Sequence, residues 1–123
     1  MVEQIQQVSF PRSVRLLSKR DYQQVFKNPV RSSDHCFTIL AINNSQHQPR
    51  LGLAIAKKAI AKATQRNRIK RQVRESFRHN QAILGDIDIV VMAKRGLEKR
   101  SNQEMIESLL KHWAYLVKKC AQS

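Results

Sequence analysis

The chain has 123 residues, 41% hydrophobic and 26% charged, a globular composition long enough for one domain with a real core. With 23 Lys and Arg against 9 Asp and Glu, the formal charge is +14 and the pI near 10.6, so the compact state repels itself unless a partner carries the opposite charge. No apolar run approaches the roughly 20 residues that span a bilayer, which excludes a spanning protein and favours nucleic acid as the partner.

The first residues, MVEQIQQVSF, lack the charged and apolar regions of a signal peptide, so the expected location is cytoplasmic. Cys36 and Cys120 lie far apart with no CxxC or CxxH partner, and the four histidines have no ligand spacing. Reduced thiols and no protein-held metal are expected.

Residues 1–14 have few periodic apolar positions and include Pro11 and Arg12, with Arg15 following. They read as an extended basic arm, and both an arm that orders on a nucleic acid and a fraying terminus fit that reading. Residues 16–28 read as a short helix: Ser18 is placed to cap it, Asp21 to return the capping bond, and Leu17 to staple onto Tyr22. Tyr22, Val25 and Phe26 share a face. Val25 reads as core, whereas either aromatic fits a core position or a half-exposed position stacking on a base.

Asn28-Pro29 ends that helix. Residues 30–34 read as a short edge strand, and residues 36–42, CFTILAI, as a central strand whose two faces are both partly apolar. The polar run NNSQHQP then predicts a hairpin of residues 36–42 against residues 50–56, RLGLAIA. Gly52 inside the second strand marks a bulge or a close backbone approach.

Residues 65–78, QRNRIKRQVRESFR, are the densest feature. Ile69, Val73 and Phe77 recur every four positions, the spacing of one apolar stripe on a helix. At about 100° per residue, Lys70, Arg71, Arg74, Arg78 and Asn67 share an adjoining arc, with Arg68 and Glu75 further round. A solvated charged face is the ordinary reading of such a run, with Glu75 pairing Arg71. Against it, Arg66, Arg68, Lys70 and Arg71 crowd the half of the helix where the macrodipole is positive and cations cost about 0.3–1 kcal/mol each. Free N–H groups, dipole and guanidinium forks together suit phosphate instead. The helix start is left open between Ala59 and Thr64, because Ile60 is out of phase with the stripe.

The run QAILGD closes this helix at Gly85. Residues 88–93, DIVVMA, are continuously apolar and read as a fully buried strand. Strand, helix and strand in sequence predict parallel pairing of residues 51–56 with 89–93, which brings Lys57 and Lys58 to the same sheet edge as Lys94 and Arg95. Ser101 and Glu104 make a capping box for a last helix whose stripe includes Met105, Leu109, Trp113, Leu116 and Cys120, and Trp113 reads as core within it. No paired carboxylates, Ser/His/Asp arrangement or metal cluster stands out, so no catalytic residue is assigned. A helix-turn-helix is disfavoured because no second short helix precedes residue 65 at the required spacing.

The element order and the stretch GLAIAKKAIAKATQRNRIKRQVRESFR resemble the protein subunits of bacterial ribonuclease P, from about Arg15 to the end of the chain. The resemblance implies an α+β fold, α-β-β-β-α-β-α in order, a single sandwich like the second domain of ribosomal protein S5 with a left-handed β-α-β crossover. The general rule for crossovers favours the other hand, so that feature rests on the resemblance alone. It implies the ribonuclease P holoenzyme, an endoribonuclease whose RNA subunit cleaves precursor tRNA with Mg²⁺ to release the 5′ leader, while the protein alone does not cleave. One protein per RNA subunit is expected.

Residue by residue, the resemblance implies that Arg66, Asn67, Arg68, Lys70, Arg71 and Arg74 contact the ribonuclease P RNA, with Lys57 and Lys58 beside them. Tyr22, Phe26 and Phe37 are implied to line a cleft for the 5′ leader between the first helix and the sheet. Leu40 departs from relatives with an aromatic there, and the KAIAKA link lacks a glycine many relatives carry. A stand-alone structured-RNA-binding protein, such as a ribosomal protein, is the alternative reading.

Overall fold

The structure is a computed structural model that describes residues 14–16 and 18–122. Its elements are α1 (Lys19–Lys27), β1 (Val30–Ser33), β2 (Phe37–Asn43), β3 (Arg50–Ala54), α2 (Ala63–His79), α3 (Gln81–Leu84), β4 (Ile87–Ala93), a 3₁₀ turn (Leu97–Lys99) and α4 (Asn102–Ala121). The arm read at residues 1–14 lies outside the described residues except for Val14, which is buried in the core. Leu17, read as a staple, also lies outside them.

Both capping boxes form as the sequence predicts. Ser18 accepts from the Asp21 N–H while the Ser18 N–H donates to the Asp21 carboxylate, and Ser101 with Glu104 repeats the exchange at α4. Each satisfies two of the otherwise orphaned N–H groups of a first turn. By contrast, α2 has Lys62 at its N-cap position, no side-chain cap and no acid in its first turn.

The strands form one four-stranded sheet in the order β1-β2-β4-β3. The expected hairpin of β2 with β3 does not form. Instead β2 pairs antiparallel with β1 and β4, placing Ile39 opposite Val91, and β4 lies between β2 and β3. The reason is burial: β4 has five consecutive buried residues, Ile87 to Val91, and only a central position covers both faces of such a run. The parallel pairing does form, with Leu51 opposite Ile89 and Leu53 opposite Val91.

One sheet face carries Phe37, Ile39, Ala41, Ile89 and Val91 and packs with Ile69, Val73 and Phe77 of α2 and the stripe of α4. Trp113 is wholly buried there, and its indole N–H donates to Ser76 Oγ at 2.8 Å, joining α4 to α2. The other face carries Leu40 and Val90 under Val25 of α1. Burial also explains the late start of α2, because Ile60, out of phase with the helix, is itself fully buried from the preceding link. At the far end Gly85 takes φ 70° and ψ −149°, open only to glycine without strain, and separates α3 from β4.

Candidate nucleic-acid interface

The interface is built where α1, the free edge of β3 and α2 meet. In β3, Leu51 and Leu53 direct their backbone groups away from β4, an edge that needs partners. Leu16 N–H donates to the Leu51 carbonyl at 3.0 Å, and Leu53 N–H donates to the Tyr22 hydroxyl at 3.2 Å. Between them the Tyr22 ring lies against Gly52, where a Cβ would come within 2.7 Å of a ring carbon. Gly52 thus provides a close approach, not a bulge. Tyr22 is seated by its ring and hydroxyl while part of it stays in solvent.

A groove of about 600 Å³ opens beside Tyr22, lined by Arg15, Leu16, Leu51, Leu53, Lys70 and Arg74. It brings together two groups the sequence places far apart, the aromatic helix and the basic helix. Arg15 and Leu16 were not singled out as site residues. Their one signal in sequence, a basic residue at the end of a supposed arm, does not reveal the parallel bridge from Arg15 to Leu51.

The cations of α2 divide into two kinds. Arg66 donates through Nη1 to the carbonyls of Ile60 and Ala61 at 3.0 and 2.7 Å, closing the link before the helix. Arg68 donates to Gln65 Oε1, Asn102 Oδ1 and the carbonyls of Glu98 and Arg100 at 2.6–3.1 Å, clamping α2 to the start of α4. Far from pointing away into solvent, Arg68 folds back on the protein. Lys70, Arg71 and Arg74 make no hydrogen bond or ion pair with the described residues. Glu75 pairs not with Arg71 but with Arg78, at 2.8 Å. Asn67 is exposed, as are Lys57 and Lys58 in the turn after β3.

Of the expected cleft aromatics, Tyr22 lines the groove and Phe26 is 47% exposed on α1. Phe37 requires correction: it is 0% exposed, on the opposite sheet face, edge-on to His112 at 6.3 Å between ring centroids. The alternation of β2 decides this, since Thr38 and Leu40 take the α1 side and Phe37 the other. Leu40 is buried beneath α1 and serves packing.

A Ser/His/Asp group does exist in space, though none is legible in sequence. Ser32 Oγ lies 2.6 Å from His112 Nδ1, and His112 Nε2 lies 3.1 Å from Asp34 Oδ1. Its role is structural. Asp34 also accepts from the Cys36 and Phe37 N–H groups and from Ser108. Burial pushes the Asp34 carboxyl up, but the hydrogen bonds from Ser108, Phe37, Cys36 and His112 outweigh it and hold the group well below the usual carboxylate range. Asp34, His35 and Cys36 are also the one cluster among the described residues close enough to share a metal ion. It does not fit Mg²⁺: the carboxylate already accepts from Cys36, Phe37 and Ser108, and Cys36 is a buried soft ligand whose thiol burial pushes up.

Fold and groove define a class: a small, strongly basic α+β protein that presents an uncapped cationic helix to solvent beside a seated tyrosine. The chain belongs to the ribonuclease P protein family, whose model, described as Ribonuclease P, matches residues 10–117. The Ribonuclease P protein component of Pseudoalteromonas atlantica is 50% identical over 115 residues, covering 94% of this chain and 96% of that protein. That of Nitrosococcus oceani is 43% identical over 119 residues, covering 97% and 100%. Among solved structures, the RNase P protein from Thermotoga maritima superposes with a TM-score of 0.74 at 32% identity, covering 82% of this chain and 96% of that one. The Staphylococcus aureus RNase P protein gives 0.76 at 27% identity, covering 85% and 95%.

Proposed function

We propose that this chain is the protein subunit of a ribonuclease P, binding the ribonuclease P RNA through α2 and the precursor tRNA leader beside Tyr22 and Phe26. The observation that carries the reading is the groove in which Lys70 and Arg74, without protein partners among the described residues, face Tyr22. Cations left unpaired on a chain of charge +14 are available to phosphates, and an aromatic ring anchored at its hydroxyl can stack on a base without losing its place.

In this reading Lys57, Lys58, Asn67, Lys70, Arg71 and Arg74 contact the RNA directly. Arg66 and Arg68 hold the helix start in shape and offer only their remaining N–H groups. The protein works in the cytoplasm, one copy per RNA subunit. Catalysis lies in the RNA subunit, and Mg²⁺ is held there; the Asp34 cluster does not fit it. Mg²⁺ supplies the charge stabilisation of phosphodiester hydrolysis; the protein lowers the repulsion between two polyanions brought to one site. No helix among the described residues is long and apolar enough to cross a membrane.

The test is reconstitution with ribonuclease P RNA at low Mg²⁺. Addition of this protein is expected to restore cleavage of precursor tRNA at the mature 5′ end. RNA binding without stimulation would return the chain to a stand-alone RNA-binding role.

A further inference from the structure

The groove beside Tyr22 does not exhaust the cationic wall of α2. Lys70, Arg74 and Arg78 follow one another at intervals of four residues, so they form one row about 12 Å long at 1.5 Å per residue. Because α2 returns the chain between parallel strands, its C-terminal end lies against the start of β3. There a second groove of about 590 Å³ is lined by His47, Gln48, Pro49, Arg78, His79, Gln81, Ala82, Gly85 and Asp86. The two grooves have no lining residue in common but follow one another along the same two segments: Leu51 and Leu53, then Gln48 and Pro49, on one side, and Lys70 and Arg74, then Arg78, on the other.

The far groove is built rather than loose. Asn44 donates to the Gln48 carbonyl and to the buried Asp88 carboxylate, and accepts from the Gln46 N–H, so the loop that presents His47 is fixed to the sheet. Asp88 is in turn held by a bidentate bond from Arg50 at 2.7 and 2.8 Å. Glu75 takes up Arg78 Nη2, leaving Nη1 without a protein partner among the described residues. His79 Nδ1–H donates to the Glu75 carbonyl at 2.8 Å, which leaves Nε2 of this exposed side chain as the acceptor of the neutral ring.

We propose that this groove extends the ribonuclease P RNA surface of α2 as a second backbone site, in which Arg78 meets a phosphate and His79 Nε2 and Gln81 bond the adjoining ribose. The proposal rests on the function proposed above. Spacing supports it, since an extended RNA strand places phosphates about 6 Å apart and the row offers a cation every 6 Å. Asp86, the one acid lining the groove, repels a phosphate but accepts well from a ribose 2′-hydroxyl, a group only RNA carries. An all-cationic groove would suit any polyanion; this mixture suits RNA.

The experiment measures affinity for ribonuclease P RNA against monovalent salt for Arg78→Gln, Ala82→Glu, Lys70→Ala and Ala114→Glu. Ala114 is on the exposed face of α4 and controls for a general change in net charge. Loss of one phosphate contact lowers the slope of log K against log salt by roughly 0.7–0.9. Arg78→Gln is expected to lose about that slope and several-fold in affinity, and Ala82→Glu to lose more affinity than Ala114→Glu. If Arg78→Gln and Ala82→Glu bind like the parent and the control while Lys70→Ala weakens binding, the RNA path ends at Arg74 and this inference fails alone. If Lys70→Ala also has no effect, the function proposed above fails with it. Should Arg78→Gln not fold, the comparison of Ala82→Glu with Ala114→Glu decides.

Discussion

Arg68 and Arg71 sit three residues apart in the same basic run and do different work. Arg68 donates four hydrogen bonds to protein acceptors, whereas Arg71 is exposed and makes none with the described residues. Removing the Arg68 side chain leaves the Glu98 and Arg100 carbonyls short of donors, so Arg68→Ala is expected to cost about 1–3 kcal/mol of stability. Arg71→Ala is expected to leave the melting temperature unchanged within about 0.5 kcal/mol while weakening assembly with the RNA. Thermal melts beside RNA-binding measurements on both variants check this; an Arg68→Ala protein as stable as the parent would remove the clamp. A run of arginines is easily legible in sequence, but which of them bonds its own protein is not. That depends on carbonyls some thirty residues away, brought near by the packing of α4.

At the scale of elements, α1 is held to β3 by a contact that leaves no room for a Cβ at Gly52 unless something moves. Gly52→Ala would put a methyl carbon 2.7 Å from the Tyr22 ring. Either the ring shifts or the strand does, at about 1–3 kcal/mol. The expected outcome is a lower melting temperature together with weaker discrimination between tRNA with a leader and mature tRNA. Lost stability with full discrimination would show that Tyr22 does not need this seat. The turn between β1 and β2 is fastened to α4 through Asp34. Since its folded-state pKa lies below its unfolded value near 4, its contribution is present above about pH 4 and is lost as pH falls toward the folded value. Asp34→Asn is therefore expected to be less stable than the parent at pH 7 but to lose less on acidification, in melts followed from pH 7 to pH 2. Equal acid slopes would mean Asp34 is not the group responsible.

For the whole molecule, the governing quantity is charge. A net +14 on 123 residues favours association with RNA and opposes compaction, and the fold meets the second effect in part by satisfying Arg66, Arg68 and Arg50 internally. Stimulation of cleavage at low Mg²⁺ should then fall steeply as monovalent salt is raised. Activity assays at increasing salt check this, and a stimulation indifferent to salt would show that charge screening is not how the protein acts.

Local rules carried the reading of elements a long way. Capping boxes, the stripe of Ile69, Val73 and Phe77 and the apolar run at β4 each lie within one element, and such patterns are written directly in sequence; the parallel strand pair, Leu51 opposite Ile89, follows from the order strand, helix, strand. The family resemblance rested on the same kind of contiguous signal, in the basic helix and its approach. Tertiary structure alone decided that β4 displaces β3 from β2, that Phe37 turns inward while Tyr22 stays in the groove, and that Arg68 is a clamp. Each of these is settled by which face of a strand or helix meets a distant element, and a one-residue alternation in β2 is enough to exchange core for surface.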